Sequence, residues 1–147
     1  EVTEAGVAVG STFSVSNVIR SYVIKHEPST ENIWMGGDSG SVTTYRLSYF
    51  RSDTRAITNI TLTGTATYAV GAISGIAFYG GFVYLLHSMI NSGMVITKIT
   101  TAGVIQSQIL VLGSAQTNIC YDFFGGYNIP VLVYPVSNLN TISIAST

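Results

Sequence analysis

Residues 75–112 read GIAFYGGFVYLLHSMINSGMVITKITTAGVIQSQILVL. The stretch divides into four apolar runs, GIAFY, FVYLLHS, MVITKIT and VIQSQILVL, separated by GG, INSG and TAG. Val, Ile, Thr, Tyr and Phe in short runs are strand formers, and Gly-Gly, Ser-Gly and Ala-Gly between such runs are turn signals. The pattern predicts four consecutive antiparallel strands. A competing reading comes from its first part: residues 68–86 carry no charge and are long enough to cross a bilayer. Four glycines in that segment, the Gly80-Gly81 break and the absence of flanking basic residues favour a β-hairpin over a membrane helix.

The same plan recurs on either side. Upstream, RSYVIKHE, ENIWMGG, SVTTYRLS and AITNITL form a first copy, and VTTYRLS aligns with VITKIT at Val42/Val95, Thr44/Thr97, Arg46/Lys98 and Leu47/Ile99 with one residue of slack. Downstream, TNICYDFF, YNIPVLVYP and NTISIAST form a third copy that stops after three strands. Over the whole chain, strands are expected near 5–9, 18–25, 31–36, 41–48, 56–62, 74–79, 82–88, 94–100, 104–112, 117–124, 128–134 and 140–146. No long segment keeps apolar residues at helical spacing without Gly or β-branched interruption.

Four-stranded repeats of this kind resemble the blades of a β-propeller. The resemblance implies an all-β fold of antiparallel propeller-like blades; a β-sandwich or jelly roll is the alternative packing of the same strands. It further implies one β domain over residues 1–147, with about three repeats. The N-terminal AGVAVGSTF would supply a blade strand in cis or in trans, as in the strand closure that joins first and last blades. Closed propellers usually hold four to eight blades, so about three blades call for a second copy of the chain.

Composition bounds the partners. With 47% hydrophobic and only 9% charged residues, the chain lies far from the charged, apolar-poor composition of disorder. A net charge of −1 gives no electrostatic case for nucleic acid. Eleven of the thirteen Asp, Glu, Lys and Arg residues lie in residues 1–55; only Lys98 and Asp122 follow. The strand runs 56–62, 74–79, 82–88, 104–112 and 128–134 are free of charge, and sheet edges without charge invite pairing with another chain. The lone Cys120 forms no internal disulfide and reads as a buried thiol. The first residue is Glu1 rather than Met, as expected of a processed chain or a piece of a longer one.

One short motif suggests chemistry. Gly37-Asp38-Ser39-Gly40 resembles the nucleophile stretch of chymotrypsin-like serine proteases. A triad also needs a histidine and an orienting carboxylate, and His26 and His87 are the only histidines. The VIKHEPS context of His26 does not resemble that of the family, and its two-barrel fold needs a longer chain. The repeat offers a simpler account: Asp38, Ser39 and Gly40 occupy the same place between strands as Asn91, Ser92 and Gly93, where Asp or Asn caps a hairpin turn and Gly takes positive φ. No P-loop, dinucleotide fingerprint or paired-cysteine motif is present, so no cofactor is expected. HEPSTE could bring His26, Glu27 and Glu31 to a metal but reads better as a solvated loop turned by Pro28. Trp34, Tyr121 and Asp122 are the candidate ligand-binding residues, two rings and a carboxylate suited to a sugar. Asn59-Ile60-Thr61 is an N-glycosylation sequon. The expected function is a non-catalytic structural protein that self-assembles through β-strand pairing into a homo-oligomer or filament, extracellular or on a virion surface. The alternative is a propeller-type glycan- or peptide-binding module. Neither a nucleic-acid partner nor a membrane span is expected.

Overall fold

The computed structural model describes residues 20–41, 43–89, 93–112, 122–124, 131–136 and 141–146. These residues are all-β. β1 (Arg20–Glu27), β2 (Asn32–Asp38), β3 (Tyr45–Phe50) and β4 (Ile57–Asn59) form one antiparallel sheet in chain order. β5 (Ile73–Tyr79), β6 (Phe82–Met89), β7 (Gly93–Thr100) and β8 (Ile105–Leu112) form a second, also in chain order. β9 (Asp122–Phe124), β10 (Val131–Val136) and β11 (Thr141–Ser146) form a three-stranded sheet with β10 in the centre. The two four-stranded sheets are consistent with blade-like repeats. The expected strand at residues 5–9, and with it the N-terminal strand exchange, lies outside the described residues.

Tyr79 faces Phe82 across a two-residue turn in which Gly80 and Gly81 have φ of 58° and 78°. Two successive positive φ values match the right-handed twist of a hairpin, and glycine reaches both at no steric cost. Residues 73–86 are therefore a hairpin. No helix among the described residues is long and apolar enough to cross a membrane.

The first two sheets meet in one apolar cluster. Trp34 and Leu47 of the first sheet pack with Ile73, Ile76, Val83, Leu85 and Ile99 of the second, and Tyr45, Tyr49 and Phe78 close the margin. Trp34 stacks at 5.1 Å on Tyr49 and meets Phe78 edge-on at 5.9 Å. The sheets come close because Gly36 has no side chain: a Cβ there would sit 2.6 Å from Ile73 Cγ2.

In the second sheet, burial does not stop at this face. Val83, Tyr84, Leu85, Leu86 and His87 are buried without interruption along β6, as are Met94 to Thr97 along β7. Successive strand residues point to opposite faces, so this sheet is an inner layer. β5 packs against β1 and β2 and also against β9.

Between β4 and β5 the chain crosses from one sheet to the other. Ile60 still donates its N–H to Leu47 O at 2.8 Å, but Leu62 N turns to the Tyr45 hydroxyl at 2.8 Å. Thr63 then bridges in parallel to Val104, its N–H on Gly103 O and its carbonyl accepting from Ile105 N. Gln108 clamps Tyr68 by both backbone groups, at 2.8 and 2.9 Å. The expected strand 56–62 is thus shortened to β4, because at Leu62 the chain leaves the β3 backbone for the Tyr45 side chain and from Thr63 it is bonded to the second sheet.

Candidate functional site

β2 ends and β3 begins at the Asp38–Tyr45 pair, so the Gly-Asp-Ser-Gly motif spans the end of β2 and the start of the connecting turn. Asp38 is fully buried. Its Oδ1 accepts the Gly40 N–H at 2.7 Å and lies 3.3 Å from Arg20 Nε, and its Oδ2 accepts the Tyr22 hydroxyl at 2.5 Å. Gly40 has φ of 108°, and its carbonyl accepts from the Arg20 guanidinium at 3.0 Å. The Tyr22 hydrogen bond, against the cost of burial and with help from Gly40 N–H and Arg20, holds the Asp38 carboxyl below the usual carboxylate range. The same hydrogen bond pushes the Tyr22 hydroxyl up. The carboxylate is spent on the turn.

Ser39 donates its hydroxyl to Thr44 Oγ1 at 2.7 Å. His26 pairs with Ile33 near the opposite end of the β1–β2 ladder. Six residues of strand separate Ile33 from Ser39, roughly 20 Å. His87 is 0% exposed, with one ring nitrogen 2.7 Å from Thr97 Oγ1 and the other 3.0 Å from Ser88 O. Burial lowers its pKa. Neither histidine meets Ser39.

The HEPSTE segment differs from the expected solvated loop. Glu27 is buried, and its Oε2 accepts the Trp34 indole N–H at 2.8 Å and the Thr30 hydroxyl at 2.6 Å. Its backbone carbonyl accepts from Glu31 N at 2.9 Å. His26 and Glu31 pair outside at 2.8 Å. Glu27 therefore turns away from the other two, and among the described residues no three His, Cys, Asp or Glu side chains gather as a metal would need. The sequence signal for Glu27 was its place seven residues before the only tryptophan, across the turn of one hairpin.

Trp34 requires a correction. It is 1% exposed, ringed by Tyr49 and Phe78 and bonded to Glu27. A ring without an exposed face cannot stack on a ligand; Trp34 is a core residue. Asp122 opens β9 opposite Val133. Tyr121, Asn91 and Ser92 lie outside the described residues. Gly93 opens β7 opposite Met89 with φ of 127°.

The concave feature nearest the motif was not read from the sequence. Where the chain leaves β4 for the second sheet, a notch of about 540 Å³ opens. Its polar lining is Ser39, Thr43, Thr44, Arg46, Asn59 and Thr61; Tyr45, Leu47, Ile60 and Val70 supply apolar wall. Three stretches meet there: the 38–44 turn, the start of β3 and the crossing segment. Only the folded topology brings residues 39–47 to residues 59–70.

No protein-family model matches the chain, and comparison with curated proteins finds no match.

Proposed function

We propose that the chain is a non-catalytic structural protein that associates with copies of itself by β-strand pairing, as a closed ring or a filament, outside the cell or on a virion. The observation that carries this reading is β8. It is the outer strand of the second sheet, contains no charged residue, and leaves Ile109 46% and Leu110 42% exposed. The crossing segment bonds its backbone edge at Gly103 and Ile105, and Gln108 is held only through its side chain. From Gln106 to Leu112 the outer backbone edge has no backbone partner among the described residues. Natural sheets guard such edges with charge, proline or a bulge; β8 has neither charge nor proline, and its two register shifts lie at either end of a regular stretch from Ser107 to Leu110, where an added strand is the ordinary way to satisfy the edge.

The absence of charge in β6 no longer bears on association, since that strand is buried within its own chain. A propeller-like ring is supported by β5, the first strand of its sheet, lying beside β1 and β9, the first strands of theirs. Three such sheets fall short of the usual four to eight, and two copies would make six. A sandwich of the same sheets is the alternative.

Light scattering after size exclusion, with electron microscopy of the particle, tests the reading. The expected result is a multimer at micromolar concentration that Ile109→Lys converts to a folded monomer. A native chain that stays monomeric overturns it. The notch beside β3 favours a second reading, a glycan- or peptide-recognition module.

A further inference from the structure

The notch is hydroxyl-rich, partly apolar and carries one unpaired cation. Among the described residues the Arg46 guanidinium has no ion-pair or hydrogen-bond partner, whereas Arg20 lies on Asp38, Arg51 on Asp53, and Lys98 over the Phe82 ring at 3.9 Å. Arg46 and Asn59 line the notch from neighbouring strands. Ser48, opposite Asn59 in register, is fully buried with a hydroxyl that has no hydrogen-bond partner among the described residues, and it does not line the notch.

The hydroxyls of the turn are already oriented. Ser39 gives its proton to Thr44 Oγ1, and Thr44 gives its own to Ser41 O at 3.0 Å. A hydroxyl has one donor and two acceptor lone pairs, so Ser39 and Thr44 present acceptors to anything in the notch. The Tyr45 hydroxyl accepts from Leu62 N and keeps its proton to donate. Fixed acceptors suit a ligand rich in O–H donors. The guanidinium fork suits a planar two-oxygen anion, which it binds with two parallel hydrogen bonds. Leu47, Ile60 and Val70 suit the C–H face of a sugar ring. The volume lies within the roughly 300–1,000 Å³ of small-molecule sites.

We propose that this notch binds an acidic glycan, with the carboxylate of a uronic-acid-type sugar on Arg46 and its ring hydroxyls on Ser39, Thr44 and Asn59. The inference rests on the recognition reading, not on self-association. Its test therefore uses the Ile109→Lys chain alongside the native one.

The probe is a tetramer of glucuronic acid, followed by calorimetry and by amide NMR shifts. Glucose tetramer, sodium acetate and a tetraglutamate peptide run as parallel arms. The expected result is shifts confined to Thr43–Leu47 and Asn59–Thr61, with the neutral tetramer and acetate each at least tenfold weaker. Arg46→Ala should lose at least tenfold in affinity with an unchanged melting temperature, because Arg46 is exposed. Arg46→Lys should fall between the two, keeping charge but losing the fork. Unchanged affinity in Arg46→Ala overturns the proposal, as does acetate binding equally well or the peptide binding more tightly. Shifts mapping to another surface remove this site while leaving a recognition module standing, and no binding of either saccharide or of the peptide removes both.

Discussion

The first and second sheets share strand order and hairpin connectivity, yet they live in different environments. The second is buried on both faces, with Leu85 and Leu86 both at 0% exposure. The first buries the face that carries Trp34 and Leu47 and leaves Tyr22 at 46% and Ile24 at 65% exposure on β1. Charge follows this division. β1 to β3 carry Arg20, Lys25, Glu27, Asp38 and Arg46, whereas Lys98 is the only charged residue of β5 to β8, lying over the Phe82 ring. The asymmetry in charge therefore reports which repeat is the inner layer. The proposed association draws on it only at β8, where an uncharged strand is also exposed.

The comparison breaks most easily at paired apolar positions. Leu86 points away from the interface with the first sheet, so its burial depends on the second sheet being an inner layer. Leu86→Ala should cost about 2–5 kcal/mol of unfolding free energy, the usual range for a large-to-small change in a packed site. Ile24→Ala should cost within about 0.5 kcal/mol, as exposed substitutions do. Urea denaturation of both variants checks the pair; similar losses would erase the distinction between the sheets.

A smaller effect sharpens the contrast in how each sheet treats a polar group. The first sheet buries the Glu27 carboxylate against Trp34 and Thr30. Glu27→Ala removes the acceptor and leaves the indole N–H unanswered in the core, a loss of about 1–3 kcal/mol. Glu27→Gln keeps one acceptor oxygen and should lose less. The same denaturation series reads both, and Trp34 fluorescence reports whether the ring is freed. Equal stability of native and Glu27→Ala chains would mean that the loop is solvated after all.

Much of the architecture was legible in the residues. Turn glycines and β-branched runs mark the strands from β1 to β8, and Gly80-Gly81, with the other glycines of 68–86 and the lack of flanking basic residues, favours hairpin over helix. What failed was judging which faces are buried. Trp34 read as a surface ring because aromatics are ordinary strand residues as well as sugar platforms, and no local pattern separates the two. Glu27 read as solvated because its partner, the Trp34 indole, lies across a hairpin. The notch was invisible because it exists only where residues 39–47 and 59–70 meet, and their meeting is set by where the crossing segment docks on β8.

The mildest probe changes only the proton concentration. Burial lowers the pKa of His87 in the second sheet below its ordinary 6.5. The folded chain then keeps the ring neutral where the unfolded chain binds a proton, so stability rises with pH across that interval. The contribution is whole above about 6.5 and fades as pH falls from there toward the folded value. In the first sheet the Tyr22 hydrogen bond lowers Asp38 below 3.8 and raises Tyr22 above 10.0. By the same linkage the Asp38 contribution is present above 3.8 and lost as pH falls further. The Tyr22 contribution is present below 10.0 and lost as pH rises through its folded value. Unfolding free energy should therefore decline from pH 7 to 5 on account of the second sheet, and only below about pH 4 or above about pH 10 on account of the first. His87→Gln should flatten the first decline and leave the alkaline one, while Tyr22→Phe should flatten the alkaline one and weaken the decline below pH 4, since the same hydrogen bond holds Asp38 down. A pH 7 to 5 slope that survives in His87→Gln would show that the buried ring is not what distinguishes the inner sheet's response to acid.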